Sequence, residues 1–185
     1  WADLAGAGRL ADAVVIATQD QTHADAAVAF AGLGYHILLE KPMPATEPVA
    51  LRMGLSAEQA RDVRHAAMLH DVGKVAIPSE VLLKPGPLTR EEWEVMRRHV
   101  VVGGELLERV DAFAHLAPIV RASHERWDGE GYPDGLAGEG IPLAARIVAA
   151  CDTYDAIVTE RPYRPAATKE TAIAELRRVA GRQLD

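Results

Sequence analysis

The chain has 185 residues, 49% hydrophobic and 25% charged, enough for one domain or two small ones around a core. A net charge of -7 argues against a large nucleic-acid footprint, which needs excess lysine and arginine, but allows a small anionic ligand in a local basic pocket. The single cysteine, Cys151, excludes a disulfide framework and a CxxC zinc site and suggests a reducing cytoplasm; no run reaches the ~18 apolar residues of a membrane span, and no secretion signal is expected.

The first 47 residues read as strand, helix, strand. Asp12–Thr18 is a short, β-branched apolar run, like a strand buried on both faces. Thr22 is placed to cap a helix from His23 to about Leu33, and Tyr35–Leu39 forms a second strand closed by Glu40-Lys41-Pro42. This spacing suggests a parallel βαβ, Rossmann-like unit.

From about Pro48 the pattern turns helical. Ser56 caps a helix over Ala57–Leu69. Thr89, with Glu92 three residues on, makes a capping box for a helix expected to run through His99, with another near Val101–Val110. A further helix is expected over Phe113–Arg126, with Pro118 early in it, then a loop over 128–142 and helices over Leu143–Val158 and Lys169–Ala180. The expected fold class is mainly α: a helical bundle over 48–185 preceded by a short βαβ-like segment over 1–47.

Five residues of the helical part are candidate metal ligands: His70, Asp71, His99, His124 and Asp152. Each sits on an apolar-rich helix or at its end, where a bare carboxylate is very unfavourable unless paired, protonated or metal-bound. Neutral imidazole and ionised carboxylate suit first-row divalent metals, and a bundle can deliver such ligands from several helices into one core. One such histidine alone is more often a hydrogen-bonded core residue, and His36, His65 and His115 read that way; the joint arrangement points to a site.

The run His70-Asp71-x-Gly73-Lys74, with Pro78 after it, resembles the signature of the HD superfamily of metal-dependent phosphohydrolases. The stretch from His124-Glu125 to Gly131-Tyr132-Pro133 resembles the HD-GYP family specifically. So do Lys84-Pro85-Gly86-x-Leu88-Thr89, His99 followed by Gly103, Asp152-x-Tyr154-Asp155-Ala156 and Arg161-Pro162-Tyr163-Arg164. The resemblance implies an HD-type bundle and a cyclic di-GMP phosphodiesterase that yields the linear dinucleotide and then GMP. It implies two divalent metals, iron or manganese, held by His70, Asp71, His99, His124 and Asp152, with Asp71 bridging them. Two such ions clamp an in-line displacement and supply a nucleophile at neutral pH.

Lys74 lies one helical turn beyond His70 and would meet the scissile phosphate. Arg161 and Arg164 would bind phosphates bidentately, and the Gly131-Tyr132-Pro133 loop would shape the pocket and meet diguanylate cyclase partners. The bland readings are a helix-end charge for Lys74, a solvated face for the arginines and a plain turn for the loop.

Compared with that family, the helix upstream of residue 48 and a closing helix are expected to be missing, and Ser123 stands where a second histidine is common. Residues 1–47 instead resemble a fragment of the glucose–fructose oxidoreductase / inositol dehydrogenase family, through Asp12–Thr18, His23 and Glu40-Lys41-Pro42. The chain then reads as two joined, unrelated fragments. Beside the phosphodiesterase stand two further readings: a degenerate HD-GYP module that binds without turnover, and a nicotinamide-dependent oxidoreductase fragment using Lys41.

Overall fold

The structure, a computed structural model, describes residues 46–159 and 166–185, together with the backbone of two strands, 13–16 and 36–39. The chain divides into two compact units, Trp1–Pro42 and Met43–Asp185. In the first, β1 (Ala13–Ile16) pairs in parallel with β2 (His36–Leu39), Ala13 opposite His36 and Ile16 opposite Leu39. The helix expected from His23 to Leu33 lies outside the described residues, as do His23 and Lys41.

The second unit is helical. α1 (Thr46–Arg52) was not expected, because the helical pattern was read from about Pro48 onward; Pro48 occupies its first turn, where its missing N–H has no intrahelical partner to lose. α2 (Ala57–Leu69) is opened by Ser56, whose side chain accepts the Gln59 N–H while Gln59 reaches back to the Ser56 N–H. Then follow a 3-10 turn (Val72–Ala76) and the short α3 (Ser79–Leu82). α4 (Arg90–Glu108) has the Thr89/Glu92 capping box, and Lys84 Nζ also reaches Glu92, at 2.5 Å.

α4 runs unbroken where two helices were expected. Gly103 and Gly104 sit buried inside it, and Gly103 lets the 72–76 turn and Val120 approach the helix closely. The helix expected over Phe113–Arg126 is shorter: a 3-10 turn (Ala114–Leu116) leads into α5 (Ala117–Arg121), with Pro118 in its first turn. α6 (Leu143–Val158) and α7 (Lys169–Val179) complete the bundle, α7 capped by Thr168. No described helix is long and apolar enough to cross a membrane.

The core lies around α2. Ala60, Val63, Ala66 and Ala67 are fully buried against Leu107 of α4, Val120 of α5 and Ile147, Val148 and Cys151 of α6. Alanines on this face let neighbouring helices come close, while each buried valine contributes about 1.5–3 kcal/mol. α2 ends where this apolar face meets His70. Past α7, Gly181 takes a positive φ of 76° and turns the chain back. The Trp127 and Asp128 N–H groups then donate to the Gln183 and Arg182 carbonyls, at 3.2 and 2.8 Å, bracing the segment that follows His124.

Candidate metal centre

Four of the five expected ligands meet at one end of the core. His70 caps α2 and is buried; its Nδ1–H donates to the Ala67 carbonyl at 2.7 Å. His99, on α4 and only 2% exposed, repeats the arrangement with the Met96 carbonyl at 2.7 Å. A carbonyl only accepts, so each Nδ1 carries the proton and each neutral ring leaves a bare lone pair on Nε2. Both lone pairs face Asp71, with His70 Nε2 3.4 Å from Oδ2 and His99 Nε2 3.3 Å from Oδ1. His124 closes the group, its ring centroid 5.1 Å from His99 and 6.2 Å from His70. Ligand atoms of Asp71, His99 and His124 lie within 4.8 Å of one another.

The backbone explains why these elements meet. A Cβ on Gly73 would lie 1.9 Å from the His99 carbonyl oxygen and 2.5 Å from the Gly103 nitrogen. Only glycine therefore lets the turn after Asp71 seat on α4. A Cβ on Gly131 would likewise lie 2.3 Å from the Arg126 nitrogen, so the loop folds flat onto the segment after His124. The Tyr132 N–H then donates to the His124 carbonyl at 3.2 Å, and the Tyr132 ring stacks on the imidazole with centroids 5.3 Å apart.

The electrostatics favour a bound cation. Burial pushes the Asp71 carboxyl up, but the charges of His70 and Lys74 and the Lys74 hydrogen bond outweigh it and hold the group at about 2. Burial, reinforced by His99 and His70, holds His124 down at about 3, and burial lowers His99 too. At neutral pH the site therefore presents the Asp71 carboxylate and the neutral imidazoles of His99 and His124. Asp71 Oδ1 and His99 Nε2 are both buried without a hydrogen-bond partner, so two acceptors face each other with no proton between them. Buried polar atoms are normally satisfied, and a divalent cation would satisfy both. The donor set fits such an ion.

The remaining expected residues are placed less centrally. Asp152, on α6, brings Oδ1 to 3.9 Å from His70 Nε2 and keeps its side chain 35% exposed. Lys74 Nζ donates to Asp71 Oδ2. Arg161 and Arg164 lie outside the described residues. Ser123 is buried with its hydroxyl unpartnered, and His115 sits on the surface beside Asp62, at 3.3 Å.

Sequence reasoning gave no role to Glu125, which is 4% exposed and accepts the Asp134 N–H at 2.7 Å, tying the Tyr132 loop down. Its place inside an otherwise surface-like run, His124-Glu125-Arg126-Trp127-Asp128, was the available signal. It also missed Arg97, whose guanidinium lies 5.2 Å from the Tyr132 ring centroid.

Comparison with known proteins identifies the arrangement. A family profile described as an HD domain matches residues 18–185. The chain is 47% identical over 154 residues to the cyclic di-GMP phosphodiesterase response regulator RpfG of Xanthomonas campestris, covering 82% of this chain and 41% of that protein. It is 43% identical over 136 residues to a cyclic di-GMP phosphodiesterase of Thermotoga maritima, covering 72% and 37%. The crystal structure of a cyclic GMP-AMP specific phosphodiesterase of V. cholerae shares the fold, with a TM-score of 0.59 and 17% identity over 76% of this chain and 39% of that one.

The chain thus spans less than half the length of these relatives. The family match starts at residue 18 and crosses the seam expected near residue 47, and the oxidoreductase resemblance of residues 1–47 is not borne out. With the family match over residues 18–185 and the His70-Asp71 and Gly131-Tyr132-Pro133 motifs at one centre, this chain belongs to the HD domain family, in its HD-GYP branch.

Proposed function

We propose that residues 48–185 form a metal-dependent phosphodiesterase that opens cyclic di-GMP to the linear dinucleotide and then releases GMP. One observation carries this reading: the buried Asp71 Oδ1 and His99 Nε2 lie 3.3 Å apart, both acceptors, with no donor to share. His70, Asp71, His99, His124 and Asp152 would hold two divalent ions, iron or manganese, which would supply Lewis-acid charge to the phosphoryl oxygens and a water of lowered pKa.

The chain's own groups do the rest. The Nδ1 hydrogen bonds of His70 and His99 fix which nitrogen of each ring points inward. Lys74 holds an ammonium at the edge of the cluster, where a non-bridging phosphate oxygen would lie. Burial, with Asp71 adding to it, pushes the Tyr132 phenol up to about 12, so it stays a hydrogen-bond donor to substrate. Arg161 and Arg164 are assigned to the phosphates, and the Tyr132 loop, exposed at Asp134 and Gly135, to contact with diguanylate cyclase domains.

The test is metal content of protein purified without oxygen, with cyclic di-GMP turnover measured on the same sample. About two iron or manganese ions per chain with linear product upholds the reading. Less than one metal and no turnover overturns it in favour of a module that binds without hydrolysis.

A further inference from the structure

α4 carries a second set of residues besides His99. Arg90, Trp93 and Arg97 stand three and four positions apart, so they form one stripe along the exposed side of the helix. Trp93 is 47% exposed. A single exposed tryptophan means little, but this one lines a groove of ≈ 690 Å³ together with Glu94 and Arg97 of α4 and Glu130 and Tyr132 of the loop.

The groove and the metal cluster share a wall. Tyr132 stacks on His124 at 5.3 Å, and the Arg97 guanidinium lies over the same Tyr132 ring at 5.2 Å. A group seated in the groove is therefore one side chain away from the centre. The charge is mixed: Glu94 lies 3.7 Å from Arg97, and Glu130 lies 3.7 Å from Arg126. A phosphate would be better served without the two carboxylates. A purine suits this pattern, because its π-face stacks on an indole and a guanidinium. Guanine adds two neighbouring donors, N1–H and N2–H, that match a carboxylate, and O6 and N7 acceptors that match an arginine. Adenine presents an acceptor at N1, which leaves a carboxylate unpaired.

The geometry points to this groove as the subsite for a guanine base of the cyclic dinucleotide. Trp93 is its stacking platform, and Glu94 is the residue that selects guanine over adenine. The inference takes its ligand from the phosphodiesterase reading and deepens it.

The test is equilibrium dialysis of cyclic di-GMP and cyclic di-AMP against the full chain stripped of metal, so that nothing is turned over. Both side chains are exposed, so their variants are expected to fold. W93A should weaken cyclic di-GMP about tenfold, at the low end of what a stacked base is worth, and W93F should restore most of it. E94Q should weaken cyclic di-GMP about fivefold and leave cyclic di-AMP unchanged, narrowing the preference. No cyclic di-GMP binding by the wild-type chain, unchanged affinity in W93A, or equal loss of both dinucleotides in E94Q overturns the assignment. Manganese-supported hydrolysis of bis(p-nitrophenyl) phosphate, which has no purine, reports on the phosphodiesterase reading separately. Hydrolysis with a failed groove test leaves that reading standing, and guanine-selective binding without hydrolysis leaves the groove standing.

Discussion

Two neighbouring regions of the bundle treat polar groups in opposite ways. Along residues 121–134 the charges are answered locally. Arg121 makes two bonds of 2.7 Å to Asp134, Arg126 bonds Asp128 at 2.9 and 2.6 Å, and Glu125 takes the Asp134 N–H. One oxygen of Glu125 and the Ser123 hydroxyl are the exceptions. A few ångströms away, across the His124 imidazole, Asp71 and His99 turn acceptors toward each other with nothing between. The first region answers most of its charges within the folded chain and serves as scaffold. The second sets acceptor against acceptor, an arrangement that a divalent cation would satisfy.

Substitutions test that division, beginning with the largest effect. Asp71→Ala should lower metal content below one ion per chain and cyclic di-GMP turnover by ~10³-fold or more, read by elemental analysis and product chromatography. A variant keeping both would show that the unsatisfied region is not the site. Gly73→Ala should destabilise the metal-free protein by about 3 kcal/mol in urea denaturation, because the added methyl meets only main chain, the His99 carbonyl and the Gly103 nitrogen. An effect under about 0.5 kcal/mol would mean the turn does not seat on α4 as described.

Acid should act on the unsatisfied region first. His124 has an ordinary value of 6.5 and is held at about 3 in the fold, so between these values the unfolded chain takes up a proton that the native chain refuses. Stability of the metal-free protein should therefore fall as pH drops from about 6.5 toward about 3, by roughly 1 kcal/mol per pH unit, and His124→Gln should flatten the slope. The smallest effect belongs to the scaffold. Arg121→Ala removes an exposed ion pair, and the expected loss is about 0.5–1 kcal/mol with metal content unchanged.

The ligand set was readable because each member interrupts an apolar helix pattern: His70 at the end of an alanine-rich face, His99 behind Val95 and Met96. The Ser56 cap and the Thr89 capping box were readable because their chemistry is local. What escaped was made by distant partners. The single helix α4 was read as two, because nothing local shows that Gly73 packs against Gly103 from 30 residues upstream. Pro48 looked like a start when it was already inside α1. Arg97 and Glu125 were given no role, because Tyr132 and the Asp134 N–H reach them only once the loop folds back.

His99 serves twice: its ring faces Asp71, and its own carbonyl is the surface on which Gly73 rests. The distance between the two ligand-bearing segments is thus set by main chain against main chain, which no exchange of surface side chains alters. If the outer stripe of α4 reads the base as proposed, that preference is free to change while the spacing of the Asp71 and His99 segments stays constant. A domain built this way lends itself to retargeting: new ligand preferences on one face of a helix, with the reaction centre carried unchanged on the other.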